Sequence, residues 1–166
     1  MPILSAHFAS LAPPIQIEVQ FEREGVTLWL RFVVEGEVDG LAWPALADQE
    51  RADALWERTC FEAFVSTDDG YVEYNLSPSG QWATYRFDSY RDGMREATQV
   101  ATVLGLDGAC DMAALEARIE LPVGATRLGL SAIIEATDGS ISYWALAHPS
   151  AKPDFHHPDS FVLELS

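Results

Sequence analysis

The stretch TCFEAFVSTDDGYVEYNLSPSGQWATYRFD, residues 59–88, decides how this chain folds. Three segments in it, 59–66, 71–76 and 82–88, alternate in character with a period of two, the mark of strands with one buried face. The DDG at 68–70 and the SPSG at 77–80 carry turn chemistry. A two-residue loop at Asp68-Asp69 or Asp69-Gly70 and a four-residue loop, Ser77 to Gly80, set the pairing. Phe61, Ala63, Val65, Val72, Tyr74, Leu76, Ala83, Tyr85 and Phe87 then share one side, a sheet face that requires a core. The other side carries Glu62, Phe64, Tyr71, Glu73, Asn75, Trp82, Thr84 and Arg86. That set is either a recognition surface, with aromatic faces to stack and polar groups to bond a ligand, or the solvated side of an antiparallel sheet. A one-residue change in either loop would exchange the faces.

Working outward, residues 15–22 (IQIEVQFE) alternate, EREG makes a four-residue turn, and 26–34 (VTLWLRFVV) complete a hairpin. Residues 47–57 have helix-forming composition over one or two turns. Residues 97–104 form a weaker strand candidate, and AALEARIEL before Pro122 fits a strand or a short helix. RLGLSAIIE (127–135) and 140–147, joined by TDG, form a second hairpin, and FVLEL (161–165) closes the chain. Nine or ten short strands with one or two helical turns predict an all-β antiparallel sandwich or jelly roll, a single domain spanning 1–166.

Composition narrows the function. A net charge of −16 opposes binding to nucleic acid and to anionic membrane surfaces. No segment approaches the roughly 18 consecutive apolar residues of a membrane helix, and no secretory signal is visible at Met1, so the expectation is a cytoplasmic protein. Cys60 and Cys110 lie far apart and outside any CxxC, which reads as two buried reduced thiols, with one disulfide as the alternative. Ser77-Pro78-Ser79-Gly80 is not a nucleophile elbow, and Glu57, Glu62 and Glu73 have no fixed separation, so no catalytic constellation stands out.

A second candidate site is HPSAKPDFHHPDS, residues 148–160, where three prolines stiffen a polar loop between core strands. Three readings apply to it. His148, His156, His157 and Asp159 could bond the loop itself, contact a ligand, or bind a divalent metal, although the spacing matches no strong zinc pattern.

The runs LWERTCFEAFV and YVEYNLSPSGQWATYRFDSYRDGM, with the closing WALAHPSAKPDFHHPDSF, resemble the DOMON-like proteins related to type 9 carbohydrate-binding modules, from about Trp43 to the C-terminus. The resemblance implies a β-sandwich that binds a sugar or a haem and performs no chemistry. Type 9 modules hold a saccharide end between two tryptophan rings, with carboxylate, amide and arginine groups on its hydroxyls. Glu62 and Asn75 match motif positions, Trp56, Trp82 and Arg86 lie nearby, and Trp43 and Trp144 are candidates for the second ring. Haem ligation would draw on His148 or His156 with Met94 or Met112. The leading expectation is a non-catalytic domain for a saccharide or sugar-like small molecule, bound by Trp56, Glu62, Tyr71, Asn75, Trp82 and Arg86, with His148, Lys152, Asp154 and His156 as loop contacts. Two alternatives stand beside it: a haem or metal protein using residues 148–159, and an interaction module or homodimer that buries Trp82.

Overall fold

A computed structural model describes residues 1–166 and is built almost wholly of strands. In chain order these are β1 Ile3–Ala6, β2 Ile15–Glu24, β3 Thr27–Gly36, β4 Cys60–Thr67, β5 Gly70–Leu76, β6 Trp82–Phe87, β7 Arg95–Glu96, β8 Ala101–Ala109, β9 Met112–Glu120, β10 Arg127–Glu135, β11 Ile141–Ala145 and β12 Leu163–Glu164. Helix is confined to single 3-10 turns at Val38–Gly40, Leu55–Glu57 and Pro158–Ser160. The all-β expectation holds, and the surplus over ten strands comes from short pieces such as β1 and β7. Pieces of four and two residues become strands only because a neighbour pairs with them, so periodicity does not reveal them. AALEARIEL resolves as β9, since its alternation lets Leu115, Ala117 and Ile119 enter the core from between β3 and β8. The first hairpin turns over Gly25-Val26, not over four residues, because pairing continues to Glu24 opposite Thr27.

The strands follow one antiparallel path, β7-β6-β5-β4-β10-β11-β1-β2-β3-β9-β8, with β12 added beside β10. This path curls into two facing layers, and β1 is the corner. Its Ile3 and Leu4 pair with β2, whereas Ser5 and Ala6 pair with β11. Between the layers lies the main core. Ile17, Leu28, Phe32 and Leu115 from one layer meet Phe61, Tyr74, Leu128 and Leu130 from the other, all essentially free of solvent. Phe32 and Phe61 touch across it with ring centroids 5.0 Å apart, and the Tyr74 hydroxyl crosses the gap to donate to the Glu120 carbonyl.

The β4–β5 loop is the two-residue Asp68-Asp69, closed by Thr67 opposite Gly70. The β5–β6 loop has five residues, Ser77 to Gln81, and this overturns part of the expected face assignment. The Ser77 N–H donates to the Gln81 carbonyl at 2.9 Å, so Leu76 lies opposite Trp82. Gly80 takes a positive φ of 99° to make the loop turn. One residue more than expected inverts β6. Trp82, Thr84 and Arg86 point to the core side, and Ala83, Tyr85 and Phe87 join Glu62, Phe64, Tyr71, Glu73 and Asn75 on the outer side.

The outer side is not solvated. Phe64, Tyr71, Tyr85, Phe87 and Ile133 form a second apolar cluster, and Phe155 and Phe161 from the C-terminal segment pack onto it. The sheet that carries β4, β5 and β10 is therefore buried on both faces.

The inverted register has a direct test. Thr84 is fully buried, and its hydroxyl donates to the Gln99 carbonyl at 2.7 Å. On a solvated face Thr84→Val would be neutral; here it leaves the Gln99 carbonyl short of a donor and is expected to destabilise by about 1–3 kcal/mol. Thermal unfolding checks this, and a Tm equal to that of the native chain would restore the other face assignment.

Candidate functional site

Burial of the outer face creates a cavity of about 380 Å³ between β4–β6, the β10–β11 hairpin and the segment that follows β11. Its sheet side supplies Glu62, Glu73, Phe87, Ile133 and Tyr143. The C-terminal segment contributes Pro153, Phe155 and His156, the loop after β6 contributes Arg91 and Met94, and the 3-10 turn before β4 contributes Trp56.

Each wall has a local cause. Trp56 stays 39 % exposed because its turn is only three residues long and rests edge-on against Tyr85, ring centroids 6.0 Å apart. Tyr85 is held in turn by its hydroxyl donating to Asp53 at 2.7 Å; burial, and then that carboxylate partner, raise its pKa. Prolines at 149, 153 and 158 keep the C-terminal segment out of regular structure and let it lie flat on the sheet.

A hydrogen-bond relay fastens it there. His156 places Nε2 3.1 Å from a Glu73 carboxylate oxygen and Nδ1 2.8 Å from the Tyr71 hydroxyl. The Tyr71 hydroxyl also accepts the Arg91 backbone N–H at 3.1 Å. One tautomer satisfies every group: Nε2–H donates to Glu73, and the tyrosine donates to Nδ1. Arg91 sits in the left-handed region at φ 53°, uncommon for a residue with a side chain. Its guanidinium reaches Asp154 at 2.8 Å, and Asp154 also accepts from the Tyr90 hydroxyl and from the His156 backbone N–H. Loop and segment lock each other.

The floor is different. Pairing sets Ser131, Glu62 and Asn75 side by side on β10, β4 and β5, all facing outward. Glu62 is 3 % exposed, and only burial and the Glu73 charge act on its carboxyl group, with no hydrogen bond. Neither end of the Asn75 amide nor the Ser131 hydroxyl has one either. A polar group buried unpaired costs about 1–3 kcal/mol, so Asn75 and Ser131 weaken the fold at this row. Burial, then the nearby Glu73 charge, push the Glu62 pKa well above the ordinary carboxylate range.

The structure gathers only part of the expected site. Trp56, Glu62 and His156 line the cavity, Tyr71 and Asp154 brace its walls, and Asn75 is fully buried beside Glu62, outside the lining. Trp82 and Arg86 are elsewhere, because β6 is inverted. Arg51 covers the Trp82 ring at 4.6 Å, and Arg86 pairs with Asp69 at 2.7 Å. Trp144 is buried in the main core and Trp43 packs against it, so neither faces Trp56. Lys152 is exposed. His148 is spent on the Ser5 carbonyl at 2.6 Å, and burial lowers its pKa. His157 accepts the Asp159 N–H at 3.1 Å and caps the last 3-10 turn.

No three His, Cys, Asp or Glu side chains converge as metal ligands do. Haem ligation does not fit either. Met94 and His156 reach one cavity, but both His156 ring nitrogens are bonded, to Glu73 and Tyr71. Both cysteines are free, Cys60 buried and Cys110 exposed, so only Cys60 follows the expectation of a buried thiol. Sequence reasoning missed Tyr85, Phe87, Arg91, Tyr143 and Phe155. Their signal was present only for Phe155, an aromatic residue inside a polar proline-rich stretch.

No protein-family model and no curated protein matches the chain. Its fold is similar to that of a candidate carbohydrate-binding protein from Bacteroides uniformis ATCC 8492, with TM-score 0.62, 15 % identity, and 97 % of this chain and 83 % of that one covered. A family 9 carbohydrate-binding module from Caldicellulosiruptor kristjanssonii, known in complex with glucose, is more distant: TM-score 0.45, 12 % identity, 89 % and 76 % covered. At such identities the likeness is one of fold.

Glu62 binds its proton more tightly in the folded chain than in the unfolded one. Its cost to stability is therefore absent below the ordinary carboxylate range and grows as pH rises above it. Glu62→Gln is expected to raise Tm at pH about 8, by ~2–4 °C for each kcal/mol relieved, and to leave it unchanged near pH 4. A variant less stable than the native chain at both values would show that Glu62 is satisfied inside the protein.

Proposed function

We propose that this chain is a non-catalytic binding module for a saccharide or sugar-like small molecule, seated between the β4–β6 face and the C-terminal segment. One observation carries the reading. A partly exposed indole, aromatic walls and the carboxyl groups of Glu62 and Glu73 meet in one cavity. Sugars are amphipathic in the matching way, since their C–H faces stack on aromatic rings while their hydroxyls both donate and accept. The volume of about 380 Å³ suits one ring and not a long chain, near the low end of the ~300–1,000 Å³ usual for small-molecule sites.

In this reading Trp56 supplies the stacking surface, and Glu62 and the free oxygen of Glu73 orient the hydroxyls. The Glu73–His156–Tyr71 relay holds the wall rigid, which lowers the entropy lost on binding. Similarity to the Bacteroides uniformis fold supports the reading, as does the resemblance of the motifs to DOMON-like proteins.

Trp56→Ala is expected to weaken monosaccharide binding by about tenfold or more, ~1.4 kcal/mol, in isothermal titration, while Trp82→Phe changes it less than about twofold. The reverse ranking would move the site to the other face of β6.

A further inference from the structure

We infer that the ligand is an amino sugar and that Glu62 receives its ammonium group, an inference that rests on the saccharide-binding reading. The first ground is the inventory of charged donors around the cavity. Arg91 is committed to Asp154 at 2.8 Å, and His156 to Glu73 at 3.1 Å through one ring nitrogen and to Tyr71 through the other. The remaining neutral donors on the walls, the Tyr143 hydroxyl and the Trp56 indole, carry no charge. On the acceptor side, Glu62 has no hydrogen bond. The cavity thus offers carboxyl oxygens and lacks a free cation.

Glu62 is also aimed at the ligand space and not at the exterior. It is buried but for 3 % of its surface, and it lines the cavity. Ser131 and Asn75 flank it on the neighbouring strands but lie outside the cavity lining, so on this strand row Glu62 is the group a ligand meets. A neutral hydroxyl would give this floor one donor, whereas an ammonium gives three together with the charge that a buried carboxylate needs.

The walls favour the same group. Trp56, Phe87, Tyr143 and Phe155 surround the cavity, and a cation over aromatic faces is attracted by their quadrupoles. Sugar acids and sugar phosphates are disfavoured, because two carboxyl groups line the cavity and the chain as a whole carries a charge of −16.

The test is isothermal titration of the intact chain with glucosamine, glucose, N-acetylglucosamine and glucuronate at about pH 6.5, where an amino-sugar nitrogen is still protonated. Glucosamine is expected to bind at least about tenfold tighter than the other three. That preference should collapse in Glu62→Gln, with glucosamine losing at least about tenfold more affinity than glucose. Equal affinity of the native chain for glucosamine and glucose overturns the inference and leaves the saccharide reading standing. Binding of none of the four overturns both. Binding of choline, with none of the sugars bound, overturns the saccharide reading and the amino sugar with it.

Discussion

The bonds from His156 to Glu73 and Tyr71 hold the C-terminal segment against the outer face of the β4–β6 sheet, and the architecture around the cavity follows from that attachment. A solvated antiparallel sheet tolerates polar side chains on its open face. Once the segment is seated, Glu73 lies among aromatic rings, where an ionised carboxylate without a donor would be costly. The imidazole removes that cost and at the same time fixes Phe155 and Phe161 over Phe64 and Tyr71. Polar fastening and apolar burial are thus one event.

Two carboxyl groups on neighbouring strands have opposite circumstances as a result. Glu73 has a committed donor. Glu62, its diagonal neighbour across the β4–β5 ladder, has none and keeps its proton to higher pH. Such a division of roles between adjacent acids is typical of sites shaped for a ligand. The rest of the fold supplies rigidity: the main core on the far side of the same strands pins the floor, so the unpartnered row cannot relax by moving backbone.

Much of the architecture was legible because strands announce themselves by alternation. Both outer hairpins, the three central strands and the closing strand are recoverable from period-two patterns and turn residues. Trp56, Glu62, Asn75, Asp154 and His156 were recognisable as unusual residue types in their places. The face of β6 was not, because it depends on whether the Ser77–Gln81 loop counts four residues or five, and both lengths are chemically acceptable. Trp82 and Arg86 left the site, and Tyr85 and Phe87 entered it, on that single count.

By itself, then, the sequence determined that this chain is an antiparallel all-β protein and which strands carry its aromatic and acidic residues, since both are properties of local pattern. Tertiary structure alone decided that the outer face is buried and that Arg91, Tyr143 and Phe155 meet Glu62 in one cavity. Those residues lie on elements separated by up to 93 positions in the chain, from Glu62 to Phe155, and join only when the segment docks. Docking reflects the summed burial of Phe155 and Phe161 and the His156 bonds, a balance among distant groups that no local window contains.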